Sequence, residues 1–395
     1  MRIIYNISIW LYVIAIRISS LFKGKSRLWI NGRKDIFKRI KDTIQNTSEI
    51  VWFHCASLGE FEQGKPIIKA YKLKYPKHKI LLTFFSPSGF ENKKETNIAN
   101  WVFYLPIDTK ANAKKFIDIV KPIKVIFVKY EFWFNYIYEL KKQKIPFYSV
   151  STIFRDGQSL LKYRWFNKQL KNVTHFFVQD KKSKEILNNI GINNITISGD
   201  TRFDSVIANA KNPISIQLIE LFSKNKNTII CGSTWPKDEI LLMTYIKKHP
   251  ENNYILVPHE TEYISKLQTQ TNGLLYSHAN KENILNTNLI IIDSVGLLHN
   301  IYQYGNIAYI GGGFGKGIHN ILEAVVFGLP VIFGPNYQKF NEANQLIKKR
   351  GAVAISNYRE LKSAIYRLND FDKSIALNYI NDNSGATNRI LKLIN

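Results

Sequence analysis

Two carboxylates that follow predicted strands are the first candidates for proton chemistry. In His54-Cys-Ala-Ser-Leu-Gly-Glu60-Phe-Glu-Gln-Gly, a strand ends at His54, small residues turn the chain, and Glu60 falls at or near the next helix start. A carboxylate at the carboxyl edge of a parallel sheet is placed to take a proton from a hydroxyl. The same residue would suit a helix N-terminus by charge alone. Glu62 points elsewhere on that helix, and His54 reads either as an alternative base or as a hydrogen-bonded core histidine. In Lys129-Tyr-Glu131-Phe-Trp133-Phe-Asn, Glu131 sits at the same level as Glu60. Trp133 is a candidate pocket wall there, and at least one of the three aromatics is core.

Phosphate binding is the second chemistry the residues suggest. After a predicted strand at 307–310, Gly311, Gly312, Gly313, Gly315 and Gly317 lead into a helix predicted to begin at His319 or Asn320. Glycines let the backbone approach a ligand closely, and a helix start offers unpaired N–H groups. Glu323, one turn on from Asn320, suits hydrogen bonds from a ribose or a base. No Gly-Lys-Ser/Thr closes the segment, and it comes too late in the chain for a dinucleotide fingerprint. Smaller signals also lie at strand ends: Arg202 in Ser198-Gly-Asp-Thr-Arg-Phe-Asp, Ser233 and Thr234 in Cys231-Gly-Ser-Thr-Trp-Pro, and His259 with Glu260 after Leu256-Val-Pro258. Arg202 is a candidate for neutralising a leaving phosphate. No Asp-x-Asp follows a strand and no histidine pair has helical metal spacing, so no metal site is expected.

The elements that must hold these residues alternate. Short β-rich runs at 50–54, 80–84, 101–105, 124–128, 147–150, 176–178 and 195–198 are separated by helical patterns. The polar segment 199–213 reads as a linker, and the rhythm restarts at 228–231, 253–257, 289–292, 307–310 and 331–333. Such alternation implies βαβ units and parallel sheets covered on both faces. Two doubly wound halves are expected to face a cleft at the carboxyl ends of their strands. The expected division is 1–24, a membrane-anchoring helix; 25–205, the first domain; 206–374, the second; and 375–395, a terminal helix that could cross back to the first.

With 395 residues, two domains are the natural expectation. Two cysteines exclude a disulfide framework or a cysteine zinc site and suit a reducing compartment. The net charge of +25 admits nucleic acid, an anionic membrane or an anionic substrate as partner. No zinc-finger spacing, RNA-recognition signature or basic-zipper heptad supports nucleic acid, so none is expected. Residues 3–16 are mostly apolar, with Tyr5, Trp10 and Tyr12, and Arg17 and Lys23 follow. That run is shorter than the ~20 residues of a perpendicular span. It lacks a small-residue cleavage site, and it suits a helix lying in or dipping into an anionic bilayer from the cytoplasmic side.

Taken in order, Ala56-Ser-Leu-Gly-Glu60, Ser86-Pro-Ser-Gly89, Glu131-Phe-Trp133, Gly199-Asp-Thr-Arg-Phe-Asp204, Gly232-Ser-Thr234, Gly311-Gly-Gly313 and His319-Asn-Ile-Leu-Glu323 resemble a known family. These are the transferases that add 3-deoxy-D-manno-octulosonic acid (Kdo) to lipid A precursor in lipopolysaccharide assembly. The resemblance runs through nearly the whole chain. It implies an α/β fold of GT-B type, with two Rossmann-like domains and an N-terminal membrane-associated helix. It also implies an inverting, metal-independent transfer from CMP-Kdo to lipid IVA without a cofactor, CMP-Kdo being the donor substrate. The implied setting is the cytoplasmic face of an anionic inner membrane.

By the same resemblance Glu60 is the general base, and Glu131 and Arg202 support the transition state. CMP contacts fall on Pro258, His259 and Glu260, on Val295, Gly296 and Leu297, and on Asn320, Ile321, Leu322 and Glu323, beside Gly311, Gly312 and Gly313. Two positions depart from the family pattern. His259-Glu260 stands where Arg-His is common, and Asp200 with Arg202 stands where Asn and Lys are common. The alternatives are a GT-B transferase or epimerase using a UDP-sugar, or a basic membrane- or nucleic-acid-binding protein on a decayed catalytic scaffold.

Overall fold

The computed structural model describes residues 1–44, 47, 49–260 and 262–394, with 159 and 160 described as backbone alone. The last residue of the predicted terminal segment, Asn395, lies outside the described residues. The chain forms two compact units, Met1–Ser205 with Ser384–Asn395, and Val206–Asn383.

The first unit is built on a seven-stranded sheet of β1 (Ile50–Cys55), β2 (Lys79–Phe84), β3 (Trp101–Tyr104), β4 (Lys124–Val128), β5 (Phe147–Thr152), β6 (His175–Val178) and β7 (Ile195–Ile197). Their order is β3-β2-β1-β4-β5-β6-β7, every pairing parallel. Parallel strands need helical crossovers, and the crossovers bury both faces of the sheet. All six residues of β1 are accordingly buried. Trp52 packs among Phe116, Phe127 and Tyr136 on one face. Val51 and Phe53 belong to the core on the other face, which Ile390, Leu391 and Ile394 complete.

The second unit repeats the plan with β8 (Thr228–Thr234), β9 (Asn253–Pro258), β10 (Leu274–Leu275), β11 (Leu289–Ile291), β12 (Ile307–Ile310), β13 (Val331–Phe333) and β14 (Ala352–Ala354). The order is β10-β11-β9-β8-β12-β13-β14, again parallel throughout. The first sheet reverses its strand order between β1 and β4, and the second has the matching reversal between β8 and β12, with β11 inserted between β9 and β10. Loops leaving adjacent strands at such a reversal diverge and leave a crevice, where ligands bind in open α/β sheets.

Three expectations need correction. The edge strands β10 and β14, of two and three residues, were not expected. The segment read as a linker is largely a helix, Thr201–Ala210, and the division between units falls inside it. Asp204 in its first turn accepts the N–H groups of Gly385 and Thr387, a use of its charge that local sequence does not show. The terminal segment is also not one helix. Lys373–Asp382 belongs to the second unit, while Ala386–Leu391 packs into the first.

The N-terminal helix runs Arg2–Ser20, longer than the predicted apolar run and, by length and composition, long enough to cross a membrane. It lies against the first unit along one side. The Tyr5 hydroxyl donates to buried Asp108, which also accepts the N–H groups of Asn135 and Tyr136. Asn6 accepts from the Asn135 amide at 3.0 Å. Further along, Val13 is buried and Tyr12 packs on Trp29 and Phe85. The opposite side is an exposed apolar stripe through Ile3, Ile7, Trp10, Ile14, Leu21 and Phe22, with Phe22 80% exposed. Beneath this helix Arg33 donates to the carbonyls of Trp29, Phe85 and Leu105, and its guanidinium stacks on Trp29. Burial pulls the pKa of Arg33 down to about 9.

Candidate active site

Glu60 and Glu131 follow β1 and β4, the two strands at the reversal point of the first sheet. The turn Ala56-Ser57 leads into helix Leu58–Lys74, in which Glu60 is the third residue. Ser57 caps that helix by accepting the Glu60 N–H, and Glu60 Oε2 accepts the Ala56 N–H at 2.5 Å. This reciprocal arrangement satisfies two otherwise orphaned donors and fixes the carboxylate in the turn. Glu60 is 9% exposed, and burial together with the charge of Glu131 raises its pKa to about 8. The Ala56 and Ser57 groups and the charge of Lys129 pull the other way. The result is a carboxyl group that titrates near neutrality.

Glu131 is held by the Trp133 indole. The Trp133 indole N–H reaches Glu131 Oε2 at 2.7 Å and His54 Nε2 at 3.2 Å. His54 is fully buried, and its Nδ1 lies 3.1 Å from the Thr83 carbonyl and 2.9 Å from the Thr83 hydroxyl. A carbonyl only accepts, so the proton belongs on Nδ1 and Nε2 is left to accept from Trp133. His54 is thus the hydrogen-bonded core histidine of the two readings, and it orients the indole that orients Glu131. Trp133, read as a wall, is a donor to the carboxylate. Lys129, just past β4, takes φ 67°, which turns the chain sharply into this segment.

Arg202 is the second residue of helix Thr201–Ala210 and is engaged by Asp200. Its Nε and a terminal nitrogen lie 2.8 and 2.7 Å from Asp200 Oδ2, while its backbone N–H donates to Oδ1. The family departure at these two positions is therefore a matched pair, with the carboxylate of Asp200 fixing the guanidinium.

In the second unit the glycine segment leaves β12 beside β8, again at the reversal point. Gly311 donates to the Gly232 carbonyl and accepts from the His319 N–H. Gly312 takes φ 91°. Its N–H donates to Asp238, a fully buried residue that also accepts the Trp235 N–H and the Tyr309 hydroxyl. Burial raises the pKa of Asp238. The helix after the segment starts at Leu322 rather than His319 and has four residues. Asn320 holds this turn by accepting the Leu322 N–H and donating to Glu323.

A cavity of about 510 Å³ lies on the segment, lined by Trp235, Lys237, Gly312, Gly315, Lys316 and His319 among others. His259 follows β9, and its ring lies against both Trp235 at 4.8 Å and His319 at 4.4 Å. The Trp235 indole donates to His319 Nε2 at 2.9 Å, and burial and the neighbouring His259 lower the His319 pKa to about 4. The structure thus joins Pro258-His259 to the glycine segment through an aromatic cluster. Glu260 and the loop residues Val295 and Gly296 are exposed, while Ile321 and Leu322 are buried behind the segment.

Asp238, Lys237 and Lys316 were not singled out in the sequence. For Asp238 a signal existed: Trp-Pro-Lys-Asp has proline and an acid in a helix's first turn. Among the described residues no group of three or more His, Cys, Asp and Glu side chains is arranged to hold a metal.

Comparison with known proteins gives this geometry a family. The family model described as 3-deoxy-D-manno-octulosonic-acid transferase (kdotransferase) matches residues 32–205. A 3-deoxy-D-manno-octulosonic acid transferase of Rickettsia bellii is 30% identical over 375 residues, covering 89% of this chain and 88% of the relative. One from Aquifex aeolicus is 29% identical over 350 residues, covering 86% and 92%. The solved UDP-GlcNAc 2-epimerase of Methanocaldococcus jannaschii superposes with a TM-score of 0.61 at 15% identity, over 87% of this chain and 99% of that one. That likeness is one of fold, and the fold is of GT-B type. The chain is a glycosyltransferase and belongs to the 3-deoxy-D-manno-octulosonic acid transferase family.

Proposed function

We propose that this protein transfers Kdo from CMP-Kdo to a hydroxyl of lipid IVA in lipopolysaccharide assembly, with inversion and without a metal. The observation that carries the mechanism is Glu60, a turn-held carboxyl group with a pKa raised to about 8. A general base works best when its pKa lies near the working pH. Glu60 takes the proton of the acceptor hydroxyl as that oxygen bonds to the anomeric carbon. The bond from that carbon to the phosphate oxygen breaks, and CMP departs with the electron pair. Arg202 offsets charge on the leaving phosphate, and Glu131, oriented by Trp133 and His54, supports the positive character of the anomeric centre.

CMP is assigned to the second unit: the 510 Å³ cavity on the glycine segment, the His259 stack, the 295–297 loop and the Asn320–Glu323 turn. Asp238 keeps the Gly312 amide fixed there. The exposed stripe of the N-terminal helix, followed by Lys23, Lys25 and Arg27, suits the cytoplasmic surface of an anionic inner membrane.

Mass spectrometry of lipid IVA incubated with CMP-Kdo and the protein is expected to show the mass of added Kdo with matching CMP release. Unchanged lipid, with turnover of UDP-GlcNAc instead, would overturn the proposal. The rate is expected to climb about tenfold per pH unit below the Glu60 pKa and to level off above about 8. A pH profile of kcat read by CMP release checks this, and a flat profile from pH 5 to 9 would exclude Glu60 as the base.

A further inference from the structure

The first unit contains a cavity of about 300 Å³ that the reaction above leaves unused. Phe132, Phe154, Phe166 and Leu161 form much of its wall, and Arg155 and Gln158 contribute polar groups. Tyr130 and Phe132, two of its lining residues, flank Glu131 in sequence. Arg155, Arg202 and Glu60 are also near enough to act on the Tyr130 hydroxyl, whose pKa is raised mainly by burial. The cavity therefore adjoins the group of charges assigned to the chemistry. Phe134, also in the lining, meets Phe166 at 4.5 Å and Tyr5 of the N-terminal helix at 5.1 Å. That is the helix whose opposite side is the exposed apolar stripe.

The lining is mainly aromatic and aliphatic, with Tyr130, Arg155 and Gln158 as its polar members, and suits a hydrocarbon chain. A hydrocarbon chain entering it gains about fourfold in affinity for each methylene removed from water. An acceptor with a polar, anionic head and acyl chains carries both parts on one molecule. We propose that this cavity holds one acyl chain of the acceptor lipid, with Arg155 beside an anionic group of the head. This assignment rests on the acceptor reading given above. It makes the cavity a specificity element: the chain anchors the head so that its hydroxyl lies at Glu60.

The test compares lipid IVA with its fully deacylated sugar phosphate as acceptors. The wild-type protein is expected to favour the acylated acceptor at least tenfold in kcat/KM. Leu161→Trp, which fills the cavity, is expected to reduce that preference about tenfold, mainly through KM. Arg155→Gln serves as a second variant should the tryptophan disturb folding, and is expected to raise KM for the acylated acceptor severalfold. A fluorescent medium-chain fatty acid, titrated without donor, reads the cavity independently of transfer. One site on the wild-type protein and its loss in Leu161→Trp are expected. Equal use of both acceptors, or probe binding unchanged in Leu161→Trp, would overturn the assignment. If neither acceptor is glycosylated, the acceptor reading fails and the probe titration alone decides the cavity.

Discussion

Glu60→Gln is expected to lower kcat for Kdo transfer by roughly a thousandfold, the loss typical of removing a positioned general base. Glutamine keeps the shape and can still accept the Ala56 N–H, so the turn should survive and CMP binding, read by calorimetry, should be unchanged. Near-normal turnover would end the assignment of Glu60 as base. The same variant has a second signature, in stability. The folded-state pKa of Glu60 is raised from 4.5 to about 8, so the native protein retains a proton that the unfolded chain releases. Stability associated with this group is fully present below about 4.5 and is lost as pH rises through about 8. Urea unfolding should therefore show Glu60→Gln gaining on the wild-type protein between those limits. A variant that loses activity while gaining stability at pH 8 identifies a carboxylate whose placement is unfavourable for folding and useful for reaction.

Gly311→Ala is the second substitution with a large expected effect. A Cβ at Gly311 would stand 2.1 Å from the Ser233 carbonyl oxygen and 2.6 Å from the Thr234 Cα, backbone atoms that cannot rotate away. Ser233 is itself at φ 54°, at an irregularity in the pairing of β8 with β9, so the neighbouring strand has little room to adjust. A cost of about 3 kcal/mol is expected, at the upper end for overpacking by one carbon. Donor binding should fall with it, because the Gly312 amide follows directly. Gly315→Ala is the control. Its Cβ would meet the Gly312 carbonyl oxygen at 3.5 Å, an ordinary contact, and its stability should change by less than about 0.5 kcal/mol. Equal denaturation midpoints for the two variants would contradict this account of the segment.

What the sequence disclosed follows from where its signals are local. Glu60, Glu131 and the glycine segment could be read because each comes straight after a short apolar run, so strand, turn and polar residue lie within about a dozen positions. The cluster of Trp235, His259 and His319 could not be read, since its members come from three different strand ends. Asp238 was hidden for a related reason: one carboxylate serves the Gly312 N–H and the Tyr309 hydroxyl, both more than seventy residues away. The helix Thr201–Ala210 looked like a linker because its polar residues have tertiary partners.

The docking of the N-terminal helix through Tyr5, Asn6 and Tyr12 has a geometric consequence. A helix free to leave the body would act as a tether, and the first unit could then tumble above the bilayer. A helix fixed along its length behaves instead as a keel. With its exposed stripe inserted as proposed, it sets the height and tilt of the first unit, and Glu60 then samples hydroxyls in a thin slab parallel to the membrane. The search for an acceptor becomes planar, and depth in the bilayer becomes a criterion of selection in its own right.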